Sequence, residues 1–301
     1  MKIVITTTTF GQFDKRPLAL LKDQGWEVAL NPYQRKLKEE EILSLCHDAD
    51  GIIAGTENLE SKVLEGLSRL KVISRCGVGV ENVDLKKAKQ LNIKVLNTPE
   101  APTVAVAELT IGLILNLLRK VNLMDKNIRG GIWKKEMGSL LAGKRVGIIG
   151  FGRIGRKVSE FLKPFRCEVR YSDPYVKDGE GGARRLSLSQ LLKWADIISI
   201  HAAGNQPLLR KKEFAVMKKG AWLINVSRGE LVDEKALFTA LKAARLSGAA
   251  LDVFCREPYT GPLAKLDNVI LTPHVGSYAI EARVQMELEA ARNLLEGLRQ
   301  A

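Results

Sequence analysis

Three glycines and one aspartate have the types and spacing suited to binding a dinucleotide. Gly150, Gly152 and Gly155 form a G-x-G-x-x-G pattern directly after an apolar run. In such a pattern the first glycine allows a tight turn, the second lets a pyrophosphate approach the backbone, and the third lets the next helix pack on its strand. Asp173 follows at roughly the twenty-residue distance at which an acidic residue accepts a hydrogen bond from a ribose 2′-hydroxyl. The pattern predicts an NAD site; the alternative is a set of turn glycines and an acidic turn residue before Pro174.

Short apolar runs alternate with amphipathic segments along the chain, which predicts strands separated by helices. In the first third the predicted strands are residues 2–6, 27–31, 51–54, 71–75 and 94–96. The second series of predicted strands comprises residues 146–149, 167–172, 197–201, 222–226, 248–253 and 269–272. Helices between strands imply parallel sheets with covered faces, and ligands then bind beyond the carboxyl ends of the strands. We therefore predict an α/β fold with two parallel sheets.

Two helical segments set the predicted domain boundaries. Residues 103–129 form one long predicted helix, which is apolar nearly all round and follows two prolines. The last predicted helix, residues 278–299, has no strand left to follow it, so we expect it to return to the first domain. The prediction is a smaller, flavodoxin-like substrate-binding domain made of residues 1–98 and 277–301. A doubly wound Rossmann domain of residues 99–276 is inserted into it and binds NAD.

The composition is globular, and the positive charge is not arranged as in nucleic-acid-binding proteins. The 301 residues are 46% hydrophobic and 27% charged, with 47 Lys+Arg against 34 Asp+Glu and a net charge of +13. The basic residues are spread over amphipathic helices, so we expect solvated helix faces and no nucleic-acid partner. The four cysteines are scattered without metal-ligand spacing, which predicts reduced thiols and no metal site. The sequence shows neither a charged-then-apolar leader nor a run that spans a bilayer, so we expect a cytoplasmic protein without a membrane partner.

One predicted strand end in the first third combines an arginine with a glycine-rich segment. Arg75 is followed by Cys76, Gly77, Val78 and Gly79. Two glycines in three positions leave the backbone free to approach a ligand, and an arginine there can meet an anion. We predict that these five residues bind substrate; the alternative is a glycine turn with a surface arginine.

Three further motifs, each at a predicted strand end of the second series, carry a resemblance to a known family. They are Asn225-Val-Ser-Arg-Gly-Glu-Leu-Val-Asp233, Leu251-Asp-Val-Phe-Cys-Arg-Glu-Pro258 and Leu271-Thr-Pro-His-Val-Gly276. With the glycine pattern, they make the chain resemble the NAD-dependent D-2-hydroxyacid dehydrogenases over nearly its whole length. The resemblance implies a catalytic arginine, glutamate and histidine, at Arg228, Glu257 and His274.

The chemistry of such enzymes requires these residue types. Reduction of a 2-oxo acid needs a hydride at the carbonyl carbon and a proton at its oxygen, and histidine, with an unperturbed pKa of about 6.5, is the natural proton donor. His47 lies in a polar helical end and His201 at the close of a strand, whereas His274 follows a proline at a strand end where a site is expected. A carboxylate beside the ring, Glu257, favours the imidazolium and orients it. Arg228 offers a planar cation that binds a carboxylate bidentately and polarises the adjacent carbonyl.

The resemblance and the glycine pattern together indicate the cofactor contacts. Asp252 matches the family position that holds the nicotinamide carboxamide, with a strand-end cap as the alternative. His201 begins His-Ala-Ala-Gly-Asn, which departs from the family's more usual His-x-Pro-Leu-Thr. The predicted cofactor-binding residues are Gly150, Gly152, Arg153, Ile154, Gly155, Asp173, His201, Val226, Ser227, Asp252 and Gly276.

Within the family, the stretches at residues 74–84 and 97–110 look most like those of short-form D-3-phosphoglycerate dehydrogenases. The resemblance implies oxidation of 3-phosphoglycerate or reduction of 3-phosphohydroxypyruvate, the first step of serine biosynthesis. Because Arg228 is committed to the carboxylate, a phosphate needs its own donors, and we expect Arg75 to hold part of it. A glyoxylate or hydroxypyruvate reductase would share every catalytic residue, and an NAD(H)-sensing, corepressor-like interaction protein is the non-enzymatic alternative. The family also implies a homodimer through residues 103–129, since a helix that is apolar on more than one face needs two partners.

Overall fold

The computed structural model describes residues 1–300, and this part of the chain divides into two compact units. The first unit comprises Met1–Pro102 together with the residues from Ser277 onward, and the second comprises Thr103–Gly276. The first crossing therefore follows Pro102, whereas the sequence places it after residue 98.

Strands and helices alternate through both units. In chain order the strands are β1 (Lys2–Ile5), β2 (Glu27–Leu30), β3 (Gly51–Ala54), β4 (Val72–Arg75), β5 (Lys94–Asn97), β6 (Arg145–Ile149), β7 (Glu168–Ser172), β8 (Arg184–Arg185), β9 (Ile197–Ile200), β10 (Ala221–Asn225), β11 (Leu246–Leu251) and β12 (Val269–Leu271). The helices are α1 (Arg16–Lys22), α2 (Glu39–Cys46), α3 (Ser61–Glu65), α4 (Leu85–Gln90), α5 (Thr103–Arg119), α6 (Val121–Arg129), α7 (Arg153–Leu162), α8 (Leu188–Trp194), α9 (Lys211–Val216), α10 (Glu234–Lys242) and α11 (Ile280–Arg299).

The first unit is a five-stranded parallel sheet with helices on both faces. Its strand order is β2-β1-β3-β4-β5, the flavodoxin-like order. Strand β2 lies on one side of β1 and the later strands on the other, so the strand order reverses between β1 and β3. Successive strand residues point to opposite faces, so Val4, Ile52 and Ile73 pack against α2 and α3. On the other face Ile53 and Val72 pack against the last helix, α11, which contacts β3, β4 and β5.

The second unit is a seven-stranded parallel sheet with the order β12-β11-β10-β9-β6-β7-β8. Counted from β6, this is the Rossmann order 3-2-1-4-5-6 with one further strand. Strands β7 and β8 lie on one side of β6 and the later strands on the other, so the strand order reverses between β6 and β9. The predicted α/β class with two parallel sheets is confirmed. The sequence missed β8, because its two exposed arginines, Arg184 and Arg185, give no apolar run.

The prediction of one continuous helix over residues 103–129 is wrong: α5 and α6 are separated at Lys120, which has a left-handed φ of 54°. In a continuous helix the amide of Asn122 would bond to the carbonyl of Leu118. Here that amide donates to the side-chain oxygen of Asn116 at 2.9 Å, and the Leu118 carbonyl accepts instead from the amide of Ser139. Helix α5 buries one face in the second unit, whereas α6 buries none of its residues in this chain.

No helix within residues 1–300 has the length and apolar character needed to cross a bilayer.

Candidate active site

The glycine pattern forms the turn between β6 and α7, at the point where the strand order of the second sheet reverses. Gly150 has a φ of +88°, and a Cβ there would lie 2.5 Å from the backbone nitrogen of Ala202. A Cβ at Gly155 would overlap the carbonyl oxygen of Gly150, so the first and third glycines are required by close backbone packing. By contrast, a Cβ at Gly152 would meet no atom within 4 Å. The backbone at Gly152 is therefore open, and α7 begins directly after it at Arg153, so the positive end of the helix dipole lies at this turn, as an anion site requires.

Asp173 follows β7 and is joined to this glycine turn. One carboxylate oxygen accepts a hydrogen bond from the amide of Phe151 at 2.8 Å, and the other accepts from the amide of Tyr175 at 2.8 Å. An ionised carboxylate has about four lone-pair sites, so Asp173 retains acceptor capacity for a ribose hydroxyl. An open glycine backbone at a helix start and an acidic residue at the end of the next strand are the features that an NAD site needs. These residues of the second unit therefore fit NAD.

His201 follows β9 on the other side of the reversal point. Its amide donates to the Ile149 carbonyl at 2.7 Å, and its Nε2 lies 2.8 Å from the Ser199 hydroxyl. Its Nδ1 is buried and has no hydrogen-bond partner among the described residues. Burial lowers the pKa of His201 to about 3, so the ring stays neutral near pH 7 and cannot serve as the acid. The structure thus places His201 at a strand end beside the glycine turn, as predicted. Its neutral ring is not the general acid of the site.

The predicted arginine stands in a turn that Asn225, the last residue of β10, organises. The Asn225 side-chain oxygen accepts from the amide and the hydroxyl of Ser227, at 3.1 and 2.9 Å. Its amide nitrogen donates to the carbonyl of Arg228 at 2.8 Å. The Arg228 guanidinium in turn donates to the Ser227 carbonyl at 2.7 Å. Sequence reasoning missed this role of Asn225; its signal is an asparagine directly after an apolar strand, where the side chain can bond to the backbone two residues on.

Gly229 brings the arginine turn into direct contact with the segment that carries Glu257. A Cβ at Gly229 would overlap the carbonyl group of Phe254 and the amide nitrogen of Cys255. The amide of Phe254 donates to a carboxylate oxygen of Glu257 at 3.1 Å. The backbones beside Arg228 and Glu257 are therefore packed together with no room for a side chain.

Asp252 holds the turn that carries His274. The Asp252 side chain is fully buried and accepts from the Thr272 hydroxyl at 2.5 Å and from the amides of Val275 and Gly276 at 2.9 and 2.8 Å. Burial raises the pKa of Asp252, and these hydrogen bonds act against that rise. The His274 backbone has a φ of +54°, which is uncommon for a residue other than glycine, and its amide donates to the carbonyl of Asp252 at 2.9 Å. Asp252 thus caps the end of a strand, which was the alternative to a cofactor contact. A contact between Asp252 and the nicotinamide stays a prediction.

His274 and Glu257 form a hydrogen-bonded pair. The His274 Nδ1 lies 3.0 Å from a carboxylate oxygen of Glu257, and both side chains are partly exposed. The hydrogen bond to Glu257 raises the pKa of His274 above its ordinary value, while partial burial and the charge of Arg228 lower it. The pair can hold a proton on the imidazole near neutral pH, with Nε2 left to donate it. Within residues 1–300 no three His, Cys, Asp or Glu side chains are grouped to hold a metal ion.

The predicted substrate residues lie at the carboxyl end of β4 in the first unit. The Arg75 guanidinium donates to the Cys76 carbonyl and, at 3.3 Å, to the side-chain oxygen of Asn82. It therefore lies against its own loop. The amides of Val78 and Gly79 have no hydrogen-bond acceptor within the described chain, so two adjacent N–H groups remain for an anion.

The chain is similar in sequence and in structure to proteins of one enzyme family. Residues 111–276 match the family model described as "D-isomer specific 2-hydroxyacid dehydrogenase, NAD binding domain". A glyoxylate reductase of Pyrococcus furiosus is 35% identical, over 91% of this chain and 86% of its own. A D-3-phosphoglycerate dehydrogenase of Methanocaldococcus jannaschii is 39% identical over 82% of this chain, which spans about half (49%) of that relative. A crystal structure of a Thermus thermophilus protein superposes with a TM-score of 0.92 at 35% identity, over 100% of this chain and 97% of that one.

Proposed function

Because the chain belongs to the D-isomer specific 2-hydroxyacid dehydrogenase family, we propose that it reduces a small 2-oxo acid to the D-2-hydroxy acid with NADH and catalyses the reverse reaction with NAD. The observation that carries the proposal is the 3.0 Å hydrogen bond between His274 and Glu257 on a turn fixed by Asp252. The left-handed backbone conformation of His274 is a costly arrangement, and proton donation to a carbonyl oxygen explains it.

Each polar group of the site then has a defined role in the reaction. The bound nicotinamide supplies the hydride. His274 donates its Nε2 proton to the carbonyl oxygen, and Glu257 keeps the ring charged and oriented. Arg228 binds the carboxylate and stabilises the negative charge that grows on the carbonyl oxygen. In the first unit, the amides of Val78 and Gly79 are the proposed further donors to the substrate.

For the substrate, the geometry favours an unphosphorylated acid such as glyoxylate or hydroxypyruvate. A phosphate needs dedicated cationic donors, and the predicted one, Arg75, is engaged by its own loop through Cys76 and Asn82. Relatives of both kinds match the chain at similar identity, 35% for the glyoxylate reductase and 39% for the D-3-phosphoglycerate dehydrogenase. The sequence-based proposal of 3-phosphohydroxypyruvate remains the second candidate, supported by the stretches at residues 74–84 and 97–110.

Oxidation of NADH with a panel of 2-oxo acids tests both the proposed reaction and the proposed substrate. We expect turnover with glyoxylate and hydroxypyruvate at a higher kcat/KM than with 3-phosphohydroxypyruvate, and an equal loss for all substrates in Arg75→Ala. A loss confined to the phosphorylated substrate, of about ten- to a hundredfold, would make Arg75 a phosphate ligand and restore the phosphoglycerate assignment. Absence of turnover with every 2-oxo acid would refute the enzymatic proposal.

A further inference from the structure

Residues 174–183 form a loop between β7 and β8 of the second unit, directly after Asp173. Near its end the loop makes a single helical turn, Glu180–Gly182, in which Gly181 has a φ of +62°. A Cβ at Gly181 would lie 3.3 Å from the ring of Phe151, the residue between the first two glycines of the glycine pattern. The loop therefore folds back from the end of β7 onto the glycine turn.

Phe151 anchors this contact. Its side chain is fully buried and stacks on Tyr171 of β7, with the ring centroids 4.0 Å apart and the planes 7° from parallel. The Tyr171 hydroxyl donates to the carbonyl of Lys177, within the loop. The two stacked rings thus hold the glycine turn, β7 and the loop together, which fixes the loop beside Asp173.

Arg156 and Asp173 border the backbone of Phe151 from its two polar groups. The Asp173 carboxylate accepts from the Phe151 amide at 2.8 Å, and the Arg156 Nε donates to the Phe151 carbonyl at 3.0 Å. A cation on a long, flexible side chain therefore lies near the carboxylate that is expected to bind the ribose 2′-hydroxyl. In dinucleotide sites, an arginine near this position accommodates a 2′-phosphate.

Glu180 engages that arginine. Its carboxylate lies 2.8 Å from a terminal guanidinium nitrogen of Arg156, and the two side chains are 42% and 46% exposed. An ion pair this exposed contributes little to stability, so its removal frees the arginine without unfolding the protein. Glu180 thus determines where the charge of Arg156 is directed.

We propose that Glu180 is a second determinant of cofactor choice: by holding Arg156 in an ion pair, it withholds the cation that a 2′-phosphate would require. The inference deepens the proposed function and rests on its NAD site. Asp173 acts on a 2′-phosphate by repulsion of like charge, whereas Glu180 acts through Arg156. Glu180 is therefore a positioning residue, and the expected preference for NAD has two separate electrostatic causes.

The test measures the binding of NADH and NADPH without turnover, by calorimetric titration and by displacement of NADH where NADPH binds weakly. In Glu180→Gln the shape of the side chain is kept and its charge is lost, so Arg156 can turn to the cofactor. A charge-assisted hydrogen bond to phosphate predicts that the Kd of NADPH divided by that of NADH falls about tenfold. The Kd of NADH should change little, and the fall should shrink as the salt concentration rises.

Two further variants separate the release of Arg156 from a general change in charge. Glu160→Gln removes one negative charge from the same helix, where Glu160 pairs with Lys157 at 2.7 Å, and should leave the ratio of the two Kd values unchanged. Arg156→Gln combined with Glu180→Gln should restore the wild-type ratio, because the freed cation is absent. An unchanged ratio in Glu180→Gln, an equal fall in Glu160→Gln, or a fall that survives in the double variant would overturn the inference.

Adenosine fragments distinguish failure of the inference from failure of the proposed function. The probes are 2′,5′-ADP and 5′-AMP, which differ only in the 2′-phosphate, titrated calorimetrically into wild type and Glu180→Gln. A gain in affinity confined to 2′,5′-ADP supports the role of Glu180 even if no 2-oxo acid is reduced. Equal changes for both fragments, or no change, would overturn that role, while turnover of 2-oxo acids with NADH decides the dehydrogenase proposal by itself.

Discussion

Gly229→Ala should separate the arginine turn from the segment that carries Glu257. The added Cβ would overlap three backbone atoms, which belong to the Phe254 carbonyl and the Cys255 amide. Backbone atoms cannot rotate away, so the two segments must part by about 1 Å, at a cost of roughly 1–3 kcal/mol in stability. Because a misplacement of about 1 Å can cost on the order of 10²-fold in rate, we expect kcat/KM for 2-oxo acid reduction to fall about a hundredfold.

The assay is NADH oxidation together with thermal unfolding and an NADH titration. The Kd of NADH should change little, because Gly229 lies outside the glycine turn at Gly150. The matched control is Gly112→Ala: a Cβ at this helical glycine meets no atom within 4 Å, so alanine should stabilise α5 by about 0.5–1 kcal/mol and leave turnover unchanged. A folded Gly229→Ala protein with wild-type kcat/KM would refute the idea that this packing positions Arg228.

Three further predictions concern the acid, the cofactor and the assembly. His274→Ala should lower kcat by at least about 10²-fold with little change in the Kd of NADH, and normal turnover would remove His274 from the mechanism. NADH should give a higher kcat/KM than NADPH, because Asp173 repels a 2′-phosphate; the reverse preference would show that Asp173 is wrongly assigned. We propose a homodimer through residues 103–129, since Val121 and Ile128 of α6 are 51% and 57% exposed in this chain. Sedimentation should show a dimer at micromolar concentration and a monomer after Val121→Glu with Ile128→Glu, and a wild-type monomer would contradict the proposal.

Local patterns were enough to predict the fold class and the positions of most strands. Fully buried parallel strands such as β3, whose sequence is Gly-Ile-Ile-Ala, give continuous apolar runs that stand out between polar helices. The glycine pattern is equally local at Gly155, where a Cβ would overlap the carbonyl oxygen of Gly150 five residues earlier. Such features depend on neighbours that the sequence order already places together.

Features that depend on distant partners could not be predicted. At the break at Lys120 the carbonyl of Leu118 accepts from the amide of Ser139 instead of a helical amide, and no helical periodicity predicts that bond. Asp252 was matched to a cofactor contact, yet its three hydrogen bonds to residues 272–276 form only once β11 and β12 are paired. The orientation of Arg75 likewise follows from Asn82, seven residues on in a folded loop.

In the proposed mechanism His274, kept protonated by Glu257, donates the proton to the substrate carbonyl. The most direct test is the pH dependence of kcat/KM for 2-oxo acid reduction in wild type and in Glu257→Gln. Activity requires the imidazolium, so it is lost as the pH rises through the pKa of His274, which Glu257 raises. Removing the carboxylate charge lowers that pKa, and we predict that the loss of activity in Glu257→Gln begins at a lower pH. Coincident pH profiles would contradict the pairing of His274 with Glu257 as the proton-donating unit.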